Sequence, residues 1–455
     1  MSRTEGRAPH GGARPFGVPG PPGGGPHRAG PPRRRARRPP GRTAHQFGNS
    51  VTKHPPLPRR APPDGTVARM HAEAGMKPER AGEPGAGTGQ EPPLPAPPEE
   101  GRTGRRRGPR LPGRTRMRRA LVLTALALAV LVLLPVAGAA TALRLAYAGD
   151  PSAEARTRGR DALWLGHAWV DGRRDAADLR ALKRRMAGTG IRDLYVHTGP
   201  LEHDGSLPAA RFPRAHWLLR AVERELPGVR VQAWLGDRLV RQEGRRDGLR
   251  LADPAARKRI VASARRVLAA GFDGVHLDLE PLPSDDGAYL RLLDRLRPAV
   301  HARDGVLSVA AHQIDPLPGL HHVGETTTGE GKWWSQRYFG RVARRVDQIA
   351  LMSYDTWLPL QSLYGGYVAH QTRLALQVAP KDVDLLMGLP FFHTDDLGHH
   401  AGAETVAAAV RGVRLGLGRE DPGRRRFGVA AYVDFAATAR DWADYRSGWC
   451  RPRES

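Results

Sequence analysis

Cysteine is almost missing from this chain. Cys450 is the single one among 455 residues, so no internal disulfide can close and any folded part must be held by a core. Acidic residues are also short, 46 against 72 Lys and Arg. The deficit is uneven: residues 1–119 hold 25 basic against 8 acidic side chains, leaving +9 of the total +26 for everything after. Aromatics make up 6% of the chain, and none interleaves the basic runs PPRRRARRPP and GRRRGPR, which argues against a stacking platform for nucleic acid. No nucleic-acid partner is expected.

What the first 117 residues do contain is Pro, Gly and Arg without apolar periodicity. Such a segment cannot bury enough surface to offset its ordering entropy, so residues 1–117 are expected to be a disordered basic tail. Charge then disappears altogether from Ala120 to Leu143. That length suits a bilayer crossing, which takes roughly 20 apolar residues. Arg114, Arg116, Arg118 and Arg119 precede it, so the positive-inside rule puts the head in the cytoplasm and the chain from about Arg144 outside.

A start at Met117 gives a second reading. The same run is then a secretory signal with Ala137-Gly138-Ala139 as its cleavage site, and residues 1–116, rich in residues with GC-rich codons, are upstream DNA translated from a misplaced start. Both readings export the chain beyond the apolar run, either to the cell membrane with an extracellular domain or as a secreted protein. The expected organisation is an anchor or signal over 118–143, a linker over 144–157 and one large domain over 158–448.

In that domain short apolar runs alternate with helical patterns. Eight strands are expected, at 162–169, 191–198, 229–236, 274–280, 306–313, 348–355, 385–391 and 428–434. The clearest helix, DPAARKRIVASARRVLAAGF, has Asp253 as N-cap, Pro254 at the first helical position and Gly271 just past its end. Further helices are expected over 176–186, 214–226, 288–302 and 403–415. A repeating β-α unit of this size and number predicts an α/β fold, a closed (β/α)8 TIM barrel. An open doubly wound sheet would more often place a Gly-rich phosphate turn after its first strand, and GHAWVDGRRD is not one.

Barrels of this kind build their sites at the C-terminal ends of the strands. The fourth strand, FDGVHLDLEP, turns Val275, Leu277 and Leu279 to one face and His276, Asp278 and Glu280 to the other. Two carboxylates about 6 to 7 Å apart on an interior face are costly to bury, so they point to chemistry rather than packing. A neighbouring carboxylate and burial both raise a carboxyl pKa, which suits a general acid. Other strand ends carry Trp169, His197, Trp234, His312, Gln313, Tyr354, Asp355, His393, Tyr432 and Asp434.

These residues carry a resemblance. Asp273-Gly274-Val275-His276-Leu277-Asp278-Leu279-Glu280 resembles the D-G-x-D-x-D-x-E signature on the fourth strand of glycoside hydrolase family 18, the chitinase-like barrels. Met352-Ser353-Tyr354-Asp355 resembles that family's M-x-Y-D on the sixth. The resemblance implies Glu280 as general acid/base, Asp278 orienting the substrate's acetamido group, whose carbonyl oxygen attacks the anomeric carbon, and Tyr354 hydrogen-bonded to the same group with Asp355 beside it. One Glu without an opposing nucleophile fits substrate-assisted, retaining hydrolysis.

Substrate contacts are expected from Asp273, His276, His197, His312 and Gln313, with Trp169, Trp234, Trp357 and Tyr432 as stacking surfaces. Three departures from the family stand out: His276 in place of its middle Asp, no S-x-G-G on the third strand, and Tyr432 where a Trp is usual. His276 is expected to pair with Asp278.

The function this implies is an exported hydrolase of β-linked, N-acetylated polysaccharide, chitin-like or cell-wall glycan, whose partners are that polysaccharide and, if residues 120–143 stay uncleaved, a membrane. The alternatives are a glycan-binding barrel that has lost turnover and a glycosidase for another glycan. A cation held by Asp273, Asp278 and Glu280 ranks low, because no spaced His pair completes a site. No cofactor and no metal are expected, and the doublets His321-His322 and His399-His400 read as solvated loops. The loop from Asp315 to Lys332 follows the fifth strand on the expected active rim and reads equally as a cover for the cleft or as a mobile Gly/Thr-rich connection.

Overall fold

The computed structural model describes residues 114–240, 247–322, 331–396 and 398–451. The expected basic tail lies outside them but for Arg114–Met117, as do residues 323–330 of the Asp315–Lys332 loop.

Eight strands close a barrel: β1 (Asp161–Leu165), β2 (Ile191–Pro200), β3 (Arg230–Arg238), β4 (Gly274–Glu280), β5 (Val306–Ala311), β8 (Gln348–Leu351), β9 (Asp384–Pro390) and β10 (Phe427–Tyr432). Their order is β1-β10-β9-β8-β5-β4-β3-β2, and every neighbour pair is parallel. Two short strands, β6 (Gln313–Ile314) and β7 (Trp333–Trp334), pair beside it. The helices packed around the ring are α2 (Ala176–Met186), α3 (Ala215–Glu225), α4 (Pro254–Ala269), α5 (Gly287–His301), α6 (Gln336–Ala343), α7 (Gln361–Val378), α8 (Val406–Glu420) and α9 (Ala439–Tyr445). The chain is a (β/α)8 TIM barrel.

Local signals explain where the elements stop. Asp253 caps α4 by accepting the Ala255 N–H, Pro254 opens the helix, and Gly271 follows it at φ +101. At α2, Asp175 and Asp178 form a capping box. The first strand ends at Leu165, earlier than the apolar run suggests, and His167–Trp169 makes a 3-10 turn instead.

Strand alternation sorts side chains into two cores. Val275, Leu277 and Leu279 belong to the large layer between strands and helices. Inside the ring lie Ala162, Trp164, Tyr195, Trp234, Ala350, Leu386 and Ala430. Beneath them a polar plug fills the barrel. Fully buried Asp193 accepts Arg230 Nε and Nη2, both at 2.7 Å, while Gln232 and Gln348 bond Asp193 and each other. Each of these interior polar groups has a partner, which offsets its desolvation.

Preceding the barrel, α1 (Arg114–Tyr147) is long and apolar enough to cross a membrane. Its last turn does not lead into a free linker. Leu143 and Tyr147 lie on Gly365 and Gly366 of α7 so closely that a Cβ on Gly366 would fall 1.9 Å from the Leu143 oxygen. Three arginines of α8 then clip the segment expected as a linker: Arg419 donates to the carbonyls of Ala146 and Ala148, Arg411 to Gly149 at 2.7 Å, and Arg414 to Ala155 at 2.8 Å and Ser152 at 3.2 Å. Ala155 is fully buried. Residues 144–157 therefore pack as part of the barrel's outer layer.

Candidate functional site

The C-terminal end of β4 brings Asp278 and Glu280 to the inner side of the barrel mouth. Asp278 is 8% exposed. One of its oxygens accepts the Trp234 indole N–H at 2.9 Å, while the other is buried without a hydrogen-bond partner among the described residues. Burial raises its pKa to about 6 against the opposing pull of the Trp234 N–H.

Tyr354, just beyond β8, faces these acids. Its ring stacks on Tyr432 at 5.5 Å and 23°, and Phe392 meets both rings edge-on. Burial, then Tyr432, Asp355, Asp278 and Glu280, push the Tyr354 phenol well up, and burial with Asp278, Glu280 and Asp355 does the same to Tyr432. All three acids thus act on one pair of phenols, which stay protonated donors at neutral pH.

Below the mouth the second-strand and third-strand aromatics complete the wall. The His197 ring meets Trp234 edge-on at 4.8 Å, and its Nε2 is buried without a partner among the described residues. Burial, with a smaller contribution from His167, lowers its pKa to about 3, so the ring is neutral. Trp357 stands at the rim, 48% exposed, with Lys332 Nζ 3.3 Å from its ring centroid. Burial brings the Lys332 pKa down to about 8.

Several residues expected to touch substrate have other tasks. Asp273 lies at the entry of β4, where its carboxylate accepts the Val231 N–H at 2.7 Å; a seven-residue strand, roughly 23 Å by its rise, separates it from the mouth. His276 is fully buried and does not pair with Asp278. Its Nε2 accepts the Trp164 N–H at 3.1 Å, Nδ1 meets Ser308 Oγ at 2.6 Å, and the ring stacks on Tyr195 at 3.8 Å. Burial lowers its pKa to about 3, so it is a neutral part of the interior layer.

Trp169 is buried with its N–H on Asp434 at 2.9 Å and has no open face for a sugar. His312 and Gln313 hold backbone. His312 Nε2 accepts the Leu282 N–H at 3.1 Å while Trp334 donates to the Leu282 carbonyl, which fixes the turn after Glu280. Gln313 donates to the Tyr354 carbonyl at 2.6 Å and accepts the Tyr367 hydroxyl at 2.8 Å.

Sequence reasoning missed the residues that grip Asp355. His399, read as a solvated loop residue, is fully buried, with Nδ1 3.0 Å from Asp355 Oδ1 and 3.3 Å from Glu404 Oε2. Glu404 was not singled out. One signal was present, an acid wedged between Ala403 and the helix start at Thr405-Val406, but nothing local links it to a residue 49 positions earlier. His321 of the other doublet is also buried, bonded to Asp315.

Asp355, His399 and Glu404 present ligand-type atoms within 4.8 Å of one another. Hydrogen bonds engage both Glu404 oxygens and the imidazole Nδ1, while His399 Nε2 is buried without a partner among the described residues.

No protein-family model and no curated protein matches the chain. Among solved structures it is similar to the spore cortex-lytic enzyme SleL of Bacillus megaterium, with 13% identity over 65% of this chain and 75% of that one and a TM-score of 0.45. It is similar to a chitinase from Chromobacterium violaceum, with 14% identity over 65% and 99% of the two chains and a TM-score of 0.44. A family GH18 chitinase from Cycas revoluta, in complex with allosamidin, has 13% identity over 63% and 98% and a TM-score of 0.43.

Proposed function

We propose that this protein is an exported glycoside hydrolase that cleaves β-glycosidic bonds of an N-acetylated polysaccharide, chitin-like or cell-wall glycan, by a retaining, substrate-assisted route. The observation that carries the reading is Asp278. Its carboxylate is buried at a barrel mouth with one oxygen anchored by Trp234 and the other without a partner among the described residues. Leaving a buried acceptor unsatisfied costs about 1–3 kcal/mol, a cost a ligand N–H would remove.

In this reading the substrate's acetamido N–H donates to that oxygen, and the Tyr354 hydroxyl donates to the acetamido oxygen. Glu280 gives its proton to the glycosidic oxygen as the bond to the anomeric carbon breaks and the acetamido oxygen bonds that carbon from the opposite face. Water then adds to the anomeric carbon from the face the leaving group vacated as the bond to the acetamido oxygen breaks, its proton passing to the Glu280 carboxylate, and the original configuration is restored. Tyr432, stacked beneath Tyr354, forms the floor on which the sugar rests. The run within α1 serves as membrane anchor or signal, with its preceding arginines on the cytoplasmic side.

The test is turnover of chromogenic chitooligosaccharides and of peptidoglycan by the full-length chain and its Glu280→Gln variant. Loss of on the order of 10²–10⁴-fold in the variant, with glycan binding retained, is the expected result. Binding without turnover by the wild type would instead identify a glycan-binding barrel.

A further inference from the structure

The turn that carries Tyr354 and Asp355 is held from outside its own strand. Asp355 has φ +59, in the left-handed region, where a non-glycine residue costs of order 1–3 kcal/mol and persists only when its surroundings enforce it. The enforcement comes mainly from Glu404. Its Oε2 accepts the Asp355 N–H at 2.7 Å; its Oε1 accepts the Thr356 N–H at 2.9 Å and the Thr356 hydroxyl at 3.0 Å. Lys332 Nζ donates to the Asp355 carbonyl at 2.8 Å.

Glu404 is fully buried and stands directly before the N-cap of α8, so its position is set by a helix rather than by a loose loop. His399, equally buried and packed at 4.3 Å on Phe392, joins the Glu404 carboxylate to the Asp355 side chain. Phe392 in turn meets Tyr354 and Tyr432 edge-on.

Two carboxylates so close, Glu404 fully buried and Asp355 half-buried, would repel each other unless a donor lay between them. Burial disfavours a charged imidazole, but hydrogen bonds to Asp355 and Glu404 outweigh it and push His399 up to about 9. The imidazole thus lies between the two carboxylates, Nδ1 3.0 Å from Asp355 Oδ1 and 3.3 Å from Glu404 Oε2, while its Nε2 is buried without a partner among the described residues. One carboxylate is locked in the protein, while the other, Asp355, is 39% exposed and acts on both mouth phenols.

We infer that His399 and Glu404 are positioning residues: their buried hydrogen-bonded pair holds Asp355, and with it Tyr354, in the orientation that the reaction at the mouth requires. This rests on the glycosidase reading of the mouth. It assigns a task to two residues that touch no substrate, and it requires that the effect of His399 pass through Asp355.

The experiment is a double-mutant cycle in the full-length chain with His399→Gln, Asp355→Asn and the double variant, each checked for folding by thermal unfolding. A displaced mouth residue lowers kcat on the order of 10²-fold, and His399→Gln is expected to approach that loss while KM changes by less than about 3-fold. The double variant should be no slower than the slower single variant. Losses that multiply in the double variant overturn the inference, because they place His399 outside the Asp355 pathway.

Glu404→Gln replaces His399→Gln in the same cycle if the latter does not fold. Crystal structures of the wild type and the His399 variant give a readout free of turnover: Asp355 shifted by about 1 Å supports the clamp, and Asp355 unmoved overturns it. A wild type that hydrolyses neither glycan sinks the glycosidase reading, while the crystallographic comparison still decides the clamp.

Discussion

Trp234 and Asp278 are joined across adjacent parallel strands by an indole N–H donated to a carboxylate oxygen at 2.9 Å. Trp234 was expected to stack on a sugar, yet at 3% exposure it has no open face to offer. Its task is to aim Asp278 and to stabilise the charged form of that acid.

Trp234→Phe should raise the Asp278 pKa above its present value of about 6, since burial already pushes it up and the lost N–H is the opposing influence. A carboxyl with a raised folded pKa binds protons more tightly folded than unfolded. Stability from this group is therefore full below about pH 4 and falls as pH rises through the folded pKa. In the variant that fall should extend further toward neutrality, and the acidic inflection of kcat/KM should move to higher pH. Profiles of the two proteins that superimpose would refute the coupling.

His276 is a structural residue. His276→Phe keeps the stack on Tyr195 but removes the acceptor for the Trp164 N–H, while Ser308 retains its bond to Gln232. The orphaned donor should cost about 1–3 kcal/mol in denaturant unfolding. The shape of the activity–pH profile should not change, because a ring with a pKa of about 3 does not titrate in the working range. A displaced pH optimum would show that His276 reaches the mouth after all.

In the plug beneath, Arg230→Met leaves the fully buried Asp193 without its bidentate partner. Breaking such a pair from one side costs roughly 3–5 kcal/mol. Urea unfolding should show that loss, and Asp193→Asn in the same chain should recover part of it. A variant as stable as the wild type would mean that Gln232 and Gln348 alone satisfy Asp193.

The strap over α7 and α8 predicts where the domain begins. A chain starting at residue 158 lacks Ala155 and every carbonyl clipped by Arg411, Arg414 and Arg419. At about 1 kcal/mol net for each hydrogen bond, partly screened at the surface, it should be a few kcal/mol less stable than a chain starting at residue 140. Equal thermal midpoints for the two would show that residues 140–157 contribute nothing to the fold.

Much of the barrel was legible in the residues. All eight strands overlap the expected runs, because buried parallel strands read as short apolar segments wherever they occur. The helix α7 was not legible. It packs against the barrel on one side, α8 on another and the end of α1 on a third, so its apolar residues surround it and the period of 3.6 disappears. The β4 acids announced themselves through alternation, a local property. The tasks of His276, His312 and Gln313 did not, since each is defined by a partner from another strand or loop.

Taken alone, the amino-acid order determined the repeating β-α unit, the apolar run of α1 and the shared inward face of His276, Asp278 and Glu280, because periodicity and strand pleat act over a few neighbouring residues. Only the closed ring decided which inward side chain meets which. It set His276 against Trp164 rather than Asp278, brought Glu404 to the backbone of Asp355 and laid residues 144–157 along α8, since hydrogen bonds between distant segments depend on where the whole barrel places them.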